Sequence, residues 1–213
     1  MEKLEDYKIY RHGLAVVSML IVSFALAPAD ARAEQPAAAQ MRHWPAEKIL
    51  PPEPGRKACW RRVYSAKHLA AHPRQKVTRL TFSLRVTGYD AGGNFVFKNP
   101  DHIFYNFAFS LKRRGEKRAL TTAGDCLGEK TADCVVDCDG GKVMIDKLPS
   151  RDGLSISLDV NGIAFGGDCD TTTGTWVKPD ADDKVFHLDP APEEACKTLD
   201  KKYFGDWDEG PGQ

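Results

Sequence analysis

Motifs with recognised chemistry are scarce in this sequence. None of the 213 residues forms a Gly-x-Ser-x-Gly elbow, a phosphate-binding glycine loop or a Cys-x-x-Cys pair. Their absence removes the usual serine-hydrolase, nucleotide-binding and dithiol-redox readings. Net charge is absent too, with 30 Lys and Arg against 30 Asp and Glu, so the total favours neither nucleic acid nor an anionic surface. The apolar-dominated run Leu14 to Ala27 is fourteen residues long, short of the roughly 20 that a bilayer helix needs. No cysteine precedes Cys59, so none stands at the start of a processed chain to carry a lipid.

What is present is an export signature. The apolar run is broken by Pro28-Ala29-Asp30 and followed by the small-residue triplet Ala31-Arg32-Ala33, the pattern of a secretory signal peptide cut after Ala33. Lys3, Lys8 and Arg11 precede the run, although Glu2, Glu5 and Asp6 dilute its basic flank. All six cysteines lie beyond the cut, as befits a domain made for an oxidising compartment. The expected organisation is a signal peptide over 1–33, a flexible Ala- and Pro-rich leader over 34–57, a single β-rich domain over 58–200 and a C-terminal tail over 201–213. The expected location is periplasmic or secreted, with no membrane span once the signal is removed.

The zero net charge conceals two opposite halves. Arg42 to Arg118 carries 17 Lys and Arg against 5 Asp and Glu, whereas Ala119 to Gln213 carries 9 against 20. Strand pairing in a β-rich chain brings such blocks side by side, so the expectation is that their fields largely cancel.

The β-rich expectation comes from alternation. Leu80, Phe82, Leu84 and Val86 point one way and Thr81, Ser83 and Arg85 the other, which reads as a strand with one wet face. Turn residues follow at Tyr89-Asp90-Ala91-Gly92-Gly93-Asn94, then Phe95-Val96-Phe97 reads as a short second strand. Ile103, Tyr105, Phe107, Phe109 and Leu111 share the next inward face, with Asn106, Ser110 and Lys112 opposite. Shorter runs recur at Arg118–Thr122, Cys134–Cys138, Lys142–Asp146, Leu154–Val160 and Val185–Leu188, separated by Gly, Asp and Asn. Evenly spaced short strands with glycine-rich turns predict an all-β antiparallel sandwich or barrel. Helix signals are limited to Ser65 through Ala71, stopped by Pro73, and to a start at Pro192-Glu193-Glu194 that would carry Cys196.

Six cysteines allow fifteen pairings, and geometry thins them. On a strand, Cys134 and Cys138 would stand about 13 Å apart between Cα atoms, beyond the roughly 7 Å a bridge spans. Cys126 and Cys134 flank a loop and could close it, and Cys59 and Cys196 bracket the domain. That leaves Cys138 with Cys169, each flanked by aspartates.

Three constellations are candidates for chemistry. Asp137 and Asp139 flank Cys138 while Asp168 and Asp170 flank Cys169, four carboxylates that could converge on a hard cation. The EF-hand spacing fails, since Leu148 occupies the twelfth position counted from Asp137, and aspartates beside glycine more often bond their own turn. His68 and His72 have the i, i+4 spacing of a zinc pair, but Leu69-Ala70-Ala71 supplies neither a general base nor a third ligand. Trp176, Tyr203, Phe204 and Trp207 are aromatics outside the main strands, free to cover an edge or dock on a partner. The expected function is an exported soluble binding or interaction module, envelope-associated or inhibitor-like, without a cofactor. Its expected partner is a protein or envelope component rather than nucleic acid. The alternative is a metal-assisted hydrolase using His68 and His72 with a carboxylate.

Overall fold

The computed structural model describes residues 45–127, 131–149, 152–166 and 174–205. A 3-10 turn, Pro45–Lys48, leads into β1 (Lys57–Val63), and helix α1 (Ala66–Ala71) crosses from there to β2 (Val77–Tyr89). There follow β3 (His102–Arg113), β4 (Leu120–Leu127), β5 (Ala132–Val136), β6 (Gly141–Lys147) and β7 (Leu154–Phe165). A short β8 (Thr175–Val177), β9 (Val185–Ala191) and helix α2 (Lys197–Phe204) complete the described chain.

Alternation alone suits a sandwich or a barrel, and the long-range pairings decide between them. β1 to β7 pair antiparallel in chain order; β9 then joins β7 on one side and β1 on the other, closing eight strands into a barrel. β8 is the extra strand, lying on the last three residues of β7. The closing seam sets Cys59, Trp60 and Arg61 against Ala191, Pro190 and Asp189.

The inward faces meet as the alternation requires. Leu80, Phe82, Leu84 and Val86 stand opposite Leu111, Phe109, Phe107 and Tyr105, and all eight are buried in one apolar core. The Phe82 ring lies 5.6 Å from Phe107 and 5.9 Å from Phe109, and Phe109 lies 5.7 Å from Phe165. Each such side chain contributes about 1.5–3 kcal/mol on burial. The interior is thus filled by side chains, as small barrels are when they hold no ligand.

The outer face of β2 departs from the wet face its sequence suggests: Thr81, Ser83, Arg85 and Thr87 are all buried. Helix α2 covers part of this face. Its Leu199 and Phe204 pack on Ala108, with Tyr203 and Ala123 at the margin, and the two alanines are small enough to let the helix approach the sheet. The Arg85 guanidinium lies 4.8 Å from the Phe204 ring, so a long cationic stem serves as packing surface while its charge meets an aromatic face.

Three further expectations change. Residues 45–57, assigned to the loose leader, are built into the barrel: Ala46 and Leu50 are buried in its core, and the Tyr105 hydroxyl donates to the Leu50 carbonyl at 2.9 Å. The segment closes the end of the barrel at which β2 finishes and β3 begins. The helix ending at Phe204 likewise takes in residues assigned to the tail. Phe95-Val96-Phe97 is not a strand, because β2 pairs directly with β3 up to Tyr89 and His102. Only an isolated bridge between Tyr89 and Phe95 remains.

Candidate functional site

Ser65 caps α1 by accepting from the His68 backbone N–H at 3.2 Å, which places His68 and His72 one turn apart at the opposite end of the barrel, the crossover end. Their rings do not converge. They stack with centroids 4.3 Å apart and planes inclined by 24°, and Tyr64 stacks on His68 at 4.7 Å. An imidazole lone pair lies in its ring plane, and two planes so arranged do not meet at a point about 2.0–2.1 Å from both nitrogens. His68 Nε2 is engaged as well. Gln75 Nε2 donates to the Val77 carbonyl, turning Oε1 toward His68 Nε2 at 2.9 Å, where that nitrogen must be the donor.

The four aspartates fare differently from one another. Asp137 and Asp139 sit in the β5–β6 turn, where Cys138 and Asp139 have φ of 61° and 59°, the two left-handed central positions of a tight hairpin turn. Burial, with the neighbouring Asp125 charge, pushes the Asp137 carboxyl up. Asp168, Asp170 and Cys169 lie outside the described residues, as does Trp207. Among the described residues no group of three or more His, Cys, Asp or Glu is arranged to hold a metal ion.

Cys59 is bonded to Cys196 and Cys126 to Cys134. Cys138 is disulfide-bonded too, and the partner expected for it, Cys169, is outside the described residues. Cys126 and Cys134 face each other in register between β4 and β5, whereas Cys59–Cys196 fastens β1 to the start of α2 with Cα atoms 5.9 Å apart. Such bridges are consistent with an oxidising compartment.

Ion pairs cross the boundary between the basic and acidic halves, Lys57–Glu193 and Arg62–Asp189 beside the β1–β9 seam and Arg74–Asp182 and Lys76–Asp180 at the crossover end. At the crossover end the buried Asp183 carboxylate accepts from the Lys76 and Val77 backbone N–H groups. Burial outweighs those bonds and raises its pKa. It also helps to raise that of Tyr64, where burial is again the leading cause. A polar cleft of 310 Å³ opens beside it, walled by Lys76, Arg113 and Trp176.

The most distinctive surface is at the N-terminal end. Leu127 and Phe104 are 42% and 36% exposed, and the β3–β4 register places them side by side on the outer wall. Tyr89 contacts Phe104 edge-on at 5.6 Å and Phe95 at 6.1 Å, and Phe95 contacts Phe97 at 4.8 Å. Phe97 is 44% exposed. Leu127, Phe104, Tyr89, Phe95 and Phe97 therefore form one apolar chain across the surface, the kind of contiguous patch that marks an interaction site.

The loop carrying this chain is internally braced. Asp90 accepts from the Gly92 and Asn94 backbone N–H groups and from the Asn94 side chain, and the Asn94 bonds hold its carboxyl below the usual range. Val96 donates to the Gly88 carbonyl at 2.8 Å. That fold-back needs glycine at 88, where a Cβ would stand 2.7 Å from Pro54 and 2.8 Å from the Val96 carbonyl. Gly55, at φ 88°, similarly admits the Phe97 ring, whose edge would lie 2.9 Å from a Cβ there.

The alternation pattern overlooks this patch because its inward phase absorbs attention. The available signal was an apolar residue, Phe104, on an outward phase of β3. Comparison with protein-family models, with curated proteins and with solved structures found no match to this chain.

Proposed function

We propose that the chain is an exported binding module of the cell envelope, working in a periplasmic or secreted setting, with the aromatic chain from Leu127 to Phe97 as its contact surface. One observation carries the reading: a barrel with an apolar core presents, across a braced loop and the adjoining strands, a continuous apolar run in which Phe97, Phe104 and Leu127 are exposed. Rigid aromatic anchors give binding area at low entropic cost. The alternative hydrolase draws no support from stacked imidazoles whose ring planes diverge from any shared ligand. Among the described residues no helix is long and apolar enough to cross a membrane.

The test is fractionation of exported protein beside a Phe97→Ser/Phe104→Ser variant. Wild type is expected to travel with envelope material and the variant to stay free, with unchanged unfolding midpoints. Identical distribution of the two would overturn the reading.

A further inference from the structure

The patch has features that narrow its occupant. Six of the loop's N–H groups, those of Asp90, Gly92, Gly93, Asn94, Val96 and Asp101, have partners within the loop or on β2. Each donor so satisfied lowers the cost of moving the loop into a medium without hydrogen-bonding capacity. A surface specialised for one protein partner ordinarily keeps polar groups free to fix register.

The rim is close to neutral. Arg56 is paired with Glu53 at 2.9 Å, which leaves Lys98 and His102 set against Asp90 and Asp101 around the aromatics. Attraction must therefore come from apolar area, and Lys98, next to Phe97, has a stem long enough to keep its ammonium in water while the ring sinks. Chain geometry agrees. The described chain begins at Pro45, in the segment that closes this same end, and Phe97 packs on Gly55 of that segment. The apolar run Leu14 to Ala27 is joined in sequence to the domain at this end, with 17 residues between it and Pro45.

We propose that the patch from Leu127 to Phe97 docks on the headgroup interface of a phospholipid bilayer, with Phe97 and Phe104 entering the acyl boundary. The proposal rests on the binding-module reading above and names its partner.

The experiment uses protein purified after export and vesicles of phosphatidylcholine alone. Wild type is expected to partition onto them, with less than about a twofold change between about 50 mM and 500 mM salt, because the rim carries little net charge. Phe97→Ser/Phe104→Ser is expected to weaken partitioning about tenfold or more. Leu127→Ser should weaken it less, and Val63→Ser, exposed at the opposite end, should leave it unchanged. Thermal unfolding of each variant confirms that the barrel is intact. Absence of binding by wild type, or equal binding by the double variant, overturns the lipid proposal. If envelope proteins still retain wild type but not the double variant, the lipid assignment falls and the binding-module reading survives. Equal behaviour in both assays removes both.

Discussion

The two ends of the barrel are closed by opposite chemistries. At the N-terminal end Ala46 and Leu50 are buried against the core and aromatics spread over the outer wall. At the crossover end the chain after β8 is fastened to the start of β2 by Lys76–Asp180 at 2.7 Å, Arg74–Asp182 at 3.5 Å and the Asp183 carboxylate. Apolar closure responds little to pH or salt, whereas closure by ions responds to both. The same scaffold thus offers one end suited to apolar contact and another whose stability follows its solvent.

The largest expected effect lies in the interior the two ends share. Phe107→Ala should cost about 3–5 kcal/mol, and Ser110→Ala, on the outer face of the same strand, should cost little. Urea unfolding measures both, and similar small losses would show that the ends are not built on a common core. Next, Leu50→Ala should cost about 2–3 kcal/mol. Amide exchange should then rise around residues 102–106 and stay unchanged around 74–77; a rise at both ends would erase the distinction.

Asp183 sharpens the comparison through pH. Burial raises its folded pKa above the ordinary aspartate value, so the native state holds the proton more tightly than the unfolded chain. Its ionisation therefore opposes folding: stability from this group falls as pH rises from the unfolded toward the folded pKa, and the full cost is present above the folded pKa. Asp180 has the opposite sign, because its bond to Lys76 lowers its pKa and its contribution is lost as pH falls through that depressed value. Asp183→Asn keeps an acceptor for the backbone N–H groups without the charge. The variant should be as stable as wild type near pH 7, or up to about 1 kcal/mol more so, and lose the Asp183 slope. A loss of more than about 2 kcal/mol at every pH would show that the charge itself holds the end shut. The smallest effect is expected from Lys76→Met, within about 1 kcal/mol and shrinking further in about 1 M salt.

The inward residues were legible because period-2 alternation reports a buried face directly, and Leu80 to Val86 shows it without interruption. The outer face of the same strand was not, since Arg85 is covered by Phe204, which lies far away in sequence on a helix tied down by Cys196. Closure into a barrel also escaped alternation, as it depends on pairing β1 with β9 across the length of the domain. At the candidate site, α1 and its Ser65 cap were readable from spacing, but ring stacking is set by rotamers that spacing does not encode. Phe95-Val96-Phe97 has strand composition, yet the Asp90–Asn94 brace and the tight approach at Gly88 hold it as a loop.

The Cys59–Cys196 bridge joins the first cysteine to the last, across 137 residues. Were the chain delivered N-terminus first to an oxidant, it would meet it in the order Cys59, Cys126, Cys134, and pairing by order of arrival would link Cys59 to Cys126, a bond absent from the native molecule. Undoing it requires attack by another thiolate on the wrong disulfide, and the rate depends on access to a suitable thiol. Forming the native bridge in such an order of arrival calls for disulfide exchange as well as oxidation. A producing cell rich in oxidant but poor in exchange would then be expected to accumulate chains bridged between the wrong cysteines.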